Sequence, residues 1–256
     1  PQSYMLDINV RASQMGKYFE PGTNTMYLQW QKDAKMLEKG FDFENNYCNI
    51  TYKEKGEGTD NLSETSNDKE EPAAALDWIA FKNQFFSCIL IGHQDFTNAT
   101  LESTMEQKPN SPVRYEAVLK HYAASMQTAF DASGSQATQM QMYIGPNDFH
   151  LLKETNKMGT VKTDLDLEDI IYFGWPLFKW INRFFILYLF DWLNGWGLPM
   201  GVVLLLLTLV VKVLVYPTTK KSYMSSAKMR VLKPQIDALN QKYPKQEDAM
   251  KKQQEM

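Results

Sequence analysis

GLPMGVVLLLLTLVVKVLVY, residues 197–216, decides how this chain is read. From Gly197 to Val211 it carries no charge, and Lys212 is the one charged residue before Tyr216. Its 20 residues at ~1.5 Å rise span about 30 Å, the depth of one hydrocarbon core. A buried helix of a soluble protein fits poorly, because LLLLTLVV is apolar on every side and its flanks differ sharply in charge. A signal peptide fits no better: the run lies far into the chain and no small-residue cleavage site follows. The segment is read as a membrane span.

The charge balance orients it. The chain has 256 residues and a net charge of −3, but residues 212–256 hold ten Lys+Arg against four Asp+Glu, a balance of +6. The preceding residues therefore hold −9. Nine of the basic residues follow Pro217, including Lys220, Lys221, Lys228, Arg230 and Lys233. Positive residues stay on the cytoplasmic side, so that end is cytoplasmic and the acidic part faces the other compartment.

Upstream of the span, Asp169–Asn194 (DIIYFGWPLFKWINRFFILYLFDWLN) is aromatic and sparsely charged. Lys179, Arg183 and Asp191 make one polar stripe of a helix, and Trp175, Trp180, Trp192 and Trp196 bracket it. Indole rings favour the headgroup region, so this segment is read as an interfacial helix lying flat before the span. A second membrane helix is the competing reading. It would carry Lys179 and Arg183 into the bilayer at ~2.5–3.5 kcal/mol each and is less favoured. Asn194-Gly195 and Gly197 supply the break between the two.

Residues 1–165 read mainly as strands. Tyr4–Arg11, Thr25–Gln31 and Gln139–Ile144 alternate with period two, and the last stops at the turn signal Gly145-Pro146. Phe85–Ile91 is nearly all apolar and suits a strand buried on both faces. Asn147 or Asp148 caps a short helix over His150–Asn156. These elements favour a sandwich of antiparallel sheets. Lys53–Pro72 has one large apolar residue, Leu62, and a net −4, and reads as a solvated loop. Asp164, Asp166, Glu168 and Asp169 form an acidic run expected to stay solvated at the membrane surface.

An apolar content of 44% excludes a disordered tail or a fibre. Two cysteines, Cys48 and Cys88, exclude a disulfide scaffold or Cys-rich zinc module and leave one bridge open. No GxSxG, HExxH, GxGxxG or Walker pattern is present. His93 with Asp95, and His121 with Glu116, read as ordinary structural pairs. The expectation is therefore no enzyme, no metal and no cofactor.

Lys212 allows two readings. Its stem reaches the headgroups about 6 Å away along the axis, or its ammonium faces a wet cavity that attracts anionic groups. Beyond it, Met224–Leu232 and Ile236–Leu239 read as helical, Pro234 as a kink or restart, and Tyr243-Pro244 as an end.

Tyr216-Pro217-Thr218 with Lys220, then Ser226-Ala227-Lys228-Met229-Arg230 and Leu232-Lys233-Pro234-Gln235-Ile236, resemble the YidC membrane-insertase family at its first conserved membrane helix and the loop that follows. Gly174-Trp175-Pro176-Leu177-Phe178 to Asn194-Gly195-Trp196-Gly197 resembles the family's interfacial helix. Tyr143-Ile144-Gly145-Pro146 and Trp78-Ile79-Ala80 before Phe85-Phe86 resemble the large periplasmic domain of Gram-negative members.

The resemblance implies a β-supersandwich periplasmic domain over 1–165, the interfacial amphipathic helix over 166–195, one transmembrane helix over 196–216 and a basic, incomplete cytoplasmic helical hairpin over 217–256. It implies a non-enzymatic insertase and chaperone of the bacterial inner membrane. Nascent membrane proteins and the phospholipid bilayer would be its partners, together with the Sec translocon and the ribosome, and no nucleic acid its substrate. Lys212 takes the place of the family's groove-lining arginine and keeps the charge without the bidentate fork. The family has further membrane helices, so the chain is expected to be a fragment. Two rivals remain: a membrane-anchored carbohydrate-binding or carbohydrate-converting domain, with histidines and acids converging in an aromatic cleft, and a structural anchor whose basic tail holds a cytoplasmic partner.

Overall fold

Alternating side chains of the N-terminal part do build strands, and the long apolar run does build a helix. The computed structural model describes residues 4–108, 117–156, 162, 165–174 and 176–242. The chain divides into two units, Pro1–Tyr172 and Phe173–Met256.

The first unit contains nine strands among the described residues: β1 (Met5–Val10), β2 (Thr25–Lys35), β3 (Asn49–Glu54), β4 (Thr59–Asn61), β5 (Asp68–Glu70), β6 (Leu76–Lys82), β7 (Phe86–Met105), β8 (Val118–Ala129) and β9 (Thr138–Pro146). Helix α1 (Phe41–Asn45) precedes β3, and α2 (Phe149–Thr155) follows β9. All pairings are antiparallel. One layer runs β1-β9-β7-β6-β3-β4, and the other holds β2, β8, β7 and β5. Strand β7 belongs to both. Its Phe86–Gly92 stretch pairs with β9, and its Thr97–Met105 stretch pairs with β8 across a register shift between Thr97 and Thr100.

Two apolar cores follow from this layout. Ile50, Leu76, Phe81, Leu101, Tyr122 and Met126 fill the first, against Met26, Leu28 and Trp30 of β2. Trp30 stacks on Phe81 with ring centroids 3.8 Å apart. Trp78, Ile89, Ile91 and Tyr143 point the other way, and Leu152, Leu165, Leu167 and Ile170 cover them. Each fully buried Leu or Ile contributes about 1.5–3 kcal/mol relative to exposure.

The second core explains why Ile89–Ile91 is buried on both faces, as expected; Phe85 and Phe86 at the start of the run are instead exposed. Strand β1 also departs from a single apolar face. Ile8 and Val10 join the first core, Tyr4 joins the second, and Leu6 is exposed. The strand β9 does not stop at Gly145-Pro146 but includes both. Gly145 is needed there because a Cβ would lie 2.7 Å from the Tyr143 ring. Asp148 is the cap of α2, its carboxylate accepting the Leu151 N–H at 2.8 Å.

Lys53–Pro72 is not simply a solvated loop. It contributes the end of β3, all of β4 and β5, and a fully buried Leu62. Backbone pairing does the ordering, and Glu57, Asp60, Glu70 and Glu71 stay exposed. The acidic run is likewise structural. Asp166 meets the buried Lys53 at 2.6 Å, and buried Glu168 accepts from Asn156 at 2.6 Å. Asp164 lies outside the described residues. Cys48 and Cys88 are both free thiols.

The second unit is helical. Helix α3 (Pro176–Ile181), a π-helical turn (Asn182–Ile186) and α4 (Leu187–Asn194) follow one another, and α5 runs from Met200 to Lys242. Pro176 opens α3, a position where its missing N–H costs nothing. Pro217 and Pro234 both sit inside α5, whose 43 residues extend about 65 Å, so the helix does not restart at Pro234. Helix α5 is thus a single rod through the expected boundary at 216/217, and no second hairpin arm appears among the described residues. The expected end at Tyr243-Pro244 lies outside them.

Candidate site in the membrane-directed helices

Five aromatic residues recur every fourth position along and just past α3–α4: Trp180, Phe184, Tyr188, Trp192 and Trp196. All five are exposed. Trp180 and Phe184 lie 6.1 Å apart, and Trp192 and Trp196 meet edge to face at 4.5 Å. Lys179 and Arg183 are half-buried, and Asp191 is exposed. The expected bracketing tryptophans therefore belong to a longer aromatic stripe. Phe184 and Tyr188 were hidden in the generally apolar run, and only an every-fourth-residue count reveals them. Trp175 lies outside the described residues.

The turn after α4 forms where the glycines allow it. Gly195 closes the helix, and Gly197 adopts φ +68, a left-handed conformation that a side chain would strain. Leu193 and Val203 are buried where α4 and α5 come together. The rest of α5 is bare. Its Met200–Pro234 stretch has a mean hydropathy of 2.3 in its best window, of which only 6% is buried by protein. That exposure differs from the mostly buried core helix of a soluble protein and is what a lipid-facing helix requires.

Lys212 lies on this helix, exposed among Leu209, Val213, Leu214 and Val215. Thr208 and Thr219 turn their hydroxyls back onto the Leu204 and Val215 carbonyls at 2.8 and 3.0 Å, so neither presents a free hydroxyl beside Lys212. Further along, Lys220, Lys221, Lys228, Arg230 and Lys233 are all exposed on the same helix.

Among the described residues of the first unit, the three histidines do not converge on one site. His93 faces Gln139 at 3.2 Å. His121 sits between Asp33 and Glu106 at 2.7 and 2.9 Å; Glu116, expected near it, lies outside the described residues. Hydrogen bonds donated by the imidazole to the Glu106 and Asp33 carboxylates raise its pKa above the ordinary imidazole value. His150 is on α2. Among the described residues no three His, Cys, Asp or Glu side chains gather as metal ligands would. A cavity of about 330 Å³ opens beside α1, rimmed by aromatics, but no histidine lines it.

Residues 1–188 match the family described as the YidC periplasmic domain, and residues 192–256 match the family described as the 60Kd inner membrane protein. The chain belongs to the YidC family. Proteins named membrane protein insertase YidC are similar along its whole length. The one from Phocaeicola vulgatus is 53% identical over 255 residues, covering 100% of this chain and 40% of the relative. That from Bacteroides fragilis is 47% identical, with 100% and 40% covered. That from Porphyromonas gingivalis is 32% identical, with 99% and 40% covered. The chain thus spans about 40% of the length of these YidC relatives. The carbohydrate reading is not favoured by these matches.

Proposed function

We propose that the full-length protein carrying this segment inserts and helps fold inner-membrane proteins, with Lys212 supplying a positive charge inside the bilayer. The observation that carries the reading is a lysine on an otherwise apolar, protein-uncovered helix. A cation at that depth is costly unless water or anionic groups reach it. A hydrated recess beside Lys212 lowers the cost of moving an acidic or polar tail partway into the membrane. The substrate's own apolar helix then partitions into lipid and supplies the driving force.

In this reading the sandwich is periplasmic, and the Trp180–Trp196 stripe lies in the headgroup layer. The helix crosses near Met200–Tyr216, and the basic part from Lys220 to Lys233 is cytoplasmic. Nascent membrane proteins and the bilayer are the partners. The Sec translocon and the ribosome would meet the cytoplasmic and lateral faces. No catalytic step is needed.

The test is insertion of a short acidic-tailed substrate by full-length protein carrying Lys212, Lys212→Arg or Lys212→Ala. Arginine keeps the activity, and alanine lowers it by about tenfold or more, the scale of one intramembrane charge. Full activity of the alanine form overturns the charge requirement.

A further inference from the structure

The aromatic-rimmed cavity of the outer unit has chemistry that the membrane helices do not use. It forms where α1 and the residues after it approach the β6–β7 turn. Phe43, Tyr47, Phe85 and Tyr172 stand exposed around it. In its wall lies Lys82, the last residue of β6, with only 6% of its surface exposed. Among the described residues the Lys82 ammonium has no hydrogen-bond or ion-pair partner. The two other deeply buried lysines are both satisfied. Lys53 meets Asp166, and Lys120 donates to the carbonyl oxygens of Cys48 and Glu64 at 2.6 and 2.7 Å.

A second group in the wall is also unsatisfied. Gln84 Oε1 is buried without a hydrogen-bond partner, although its residue lines the cavity. Glu64 lies in the wall too, with one carboxylate oxygen accepting from Asn49 at 3.1 Å. Burial pushes the Lys82 ammonium below the ordinary lysine pKa, against the opposing pull of Glu64. An ammonium with no direct hydrogen-bond or ion-pair partner, opposed only by the nearby Glu64 charge, is costly in a wall unless something else fills the space.

We infer that this cavity binds a carboxylate carried on an apolar or aromatic body, with the carboxylate on Lys82. The apolar body lies against Phe43, Tyr47, Phe85 and Tyr172. A single ammonium beside the Glu64 carboxylate suits a monoanion and disfavours a doubly charged phosphate. The cavity volume is in the range of small-ligand sites. The same chemistry is offered by a free carboxylic acid and by an acidic side chain flanked by an aromatic one in a polypeptide. The site does not rest on the insertase reading, since the Lys212 assay has its own outcome whatever this cavity binds.

The test uses the intact chain in lipid nanodiscs and calorimetric titration. One arm compares 3-phenylpropionate with 3-phenylpropionamide. The other compares acetyl-Phe-Asp-amide with acetyl-Phe-Asn-amide. In at least one arm the acid binds saturably and about tenfold or more tighter than its amide, the scale of a charge-assisted hydrogen bond. Lys82→Met, which keeps the stem, removes that preference while thermal unfolding shows the fold retained. Phe85→Ala, at an exposed rim position, weakens acid and amide alike. Preference confined to the peptide arm assigns a polypeptide source, and preference confined to phenylpropionate assigns a free acid. Equal binding of acid and amide in both arms, no saturable binding, or an unchanged preference in Lys82→Met overturns the site.

Discussion

The indole N–H of Trp78 donates to the carbonyl oxygen of Leu165 at 2.7 Å, joining β6 to a segment 87 residues later. Both residues are buried, and the contact pins the Leu165–Ile171 stretch over the outer face of the first sheet. Trp78→Phe keeps an aromatic ring but orphans the Leu165 carbonyl. It is expected to cost about 1–3 kcal/mol for the unsatisfied acceptor. Urea unfolding reads the cost, and hydrogen exchange should show lost protection at Leu167–Ile171 before the β2–β8 ladder. Uniform loss of protection across the unit would contradict this.

Lys120 is the most deeply enclosed charge, fully buried on β8. Burial lowers its pKa, yet its ammonium ties the Cys48 and Glu64 carbonyls together. Lys120→Met keeps the stem and removes both donors, so two buried acceptors go unpaired at roughly 1–3 kcal/mol each. The midpoint of chemical unfolding should fall accordingly. An unchanged midpoint would show that the two carbonyls find other partners. The neighbouring Cys48 thiol, pushed up to about 11 by burial, should resist thiol reagents near neutral pH until the unit unfolds.

Acid sensitivity should centre on Asp95. Burial alone would raise its pKa, but hydrogen bonds from Lys162 and Lys55, at 2.7 and 2.6 Å, outweigh it and hold the carboxyl below its usual value. Lys162 also meets Asp77 at 2.6 Å. Because the folded pKa is depressed, the unfolded chain binds the proton first as pH falls. The stabilisation is therefore complete above the unfolded value, 3.8, and is lost as pH drops through the folded one. Asp95→Asn should lower stability by about 1 kcal/mol near neutral pH, a part-exposed ion pair's scale, and by less in acid. A cost that is the same across the acid range would refute the assignment.

The aromatic stripe predicts a depth. Variants retaining only Trp180, Trp192 or Trp196 as the fluorophore should be quenched best by lipids labelled near the headgroups. Labels at the acyl-chain ends should quench them weakly, as expected for indole rings held at the interface. Stronger quenching from the bilayer centre would instead make α3–α4 a spanning segment.

Where periodicity and burial agreed, the fold was readable from the residues. Met26, Leu28 and Trp30 alternate in β2 and do face the inter-sheet core. The aspartate before α2 does cap it. Strands β3, β6 and β8 were harder, because each places a lysine, Lys53, Lys82 or Lys120, inside the protein. A lysine reads as solvent-facing until its surroundings are known, and the partners of Lys53 and Lys120 lie far along the chain, as with Asp166 for Lys53. The long helix was legible because a membrane span demands a long apolar run. The cavity was not, because Phe43, Lys82 and Tyr172 come together only through tertiary folding.

Strand β7 has a mechanical consequence. Its 20 residues are laced into both layers of the sandwich, so neither layer can shear past the other or swing open without stripping that one ladder. The outer unit must therefore answer a tug as a single stiff block. Any rearrangement within the unit falls to segments outside that shared strand.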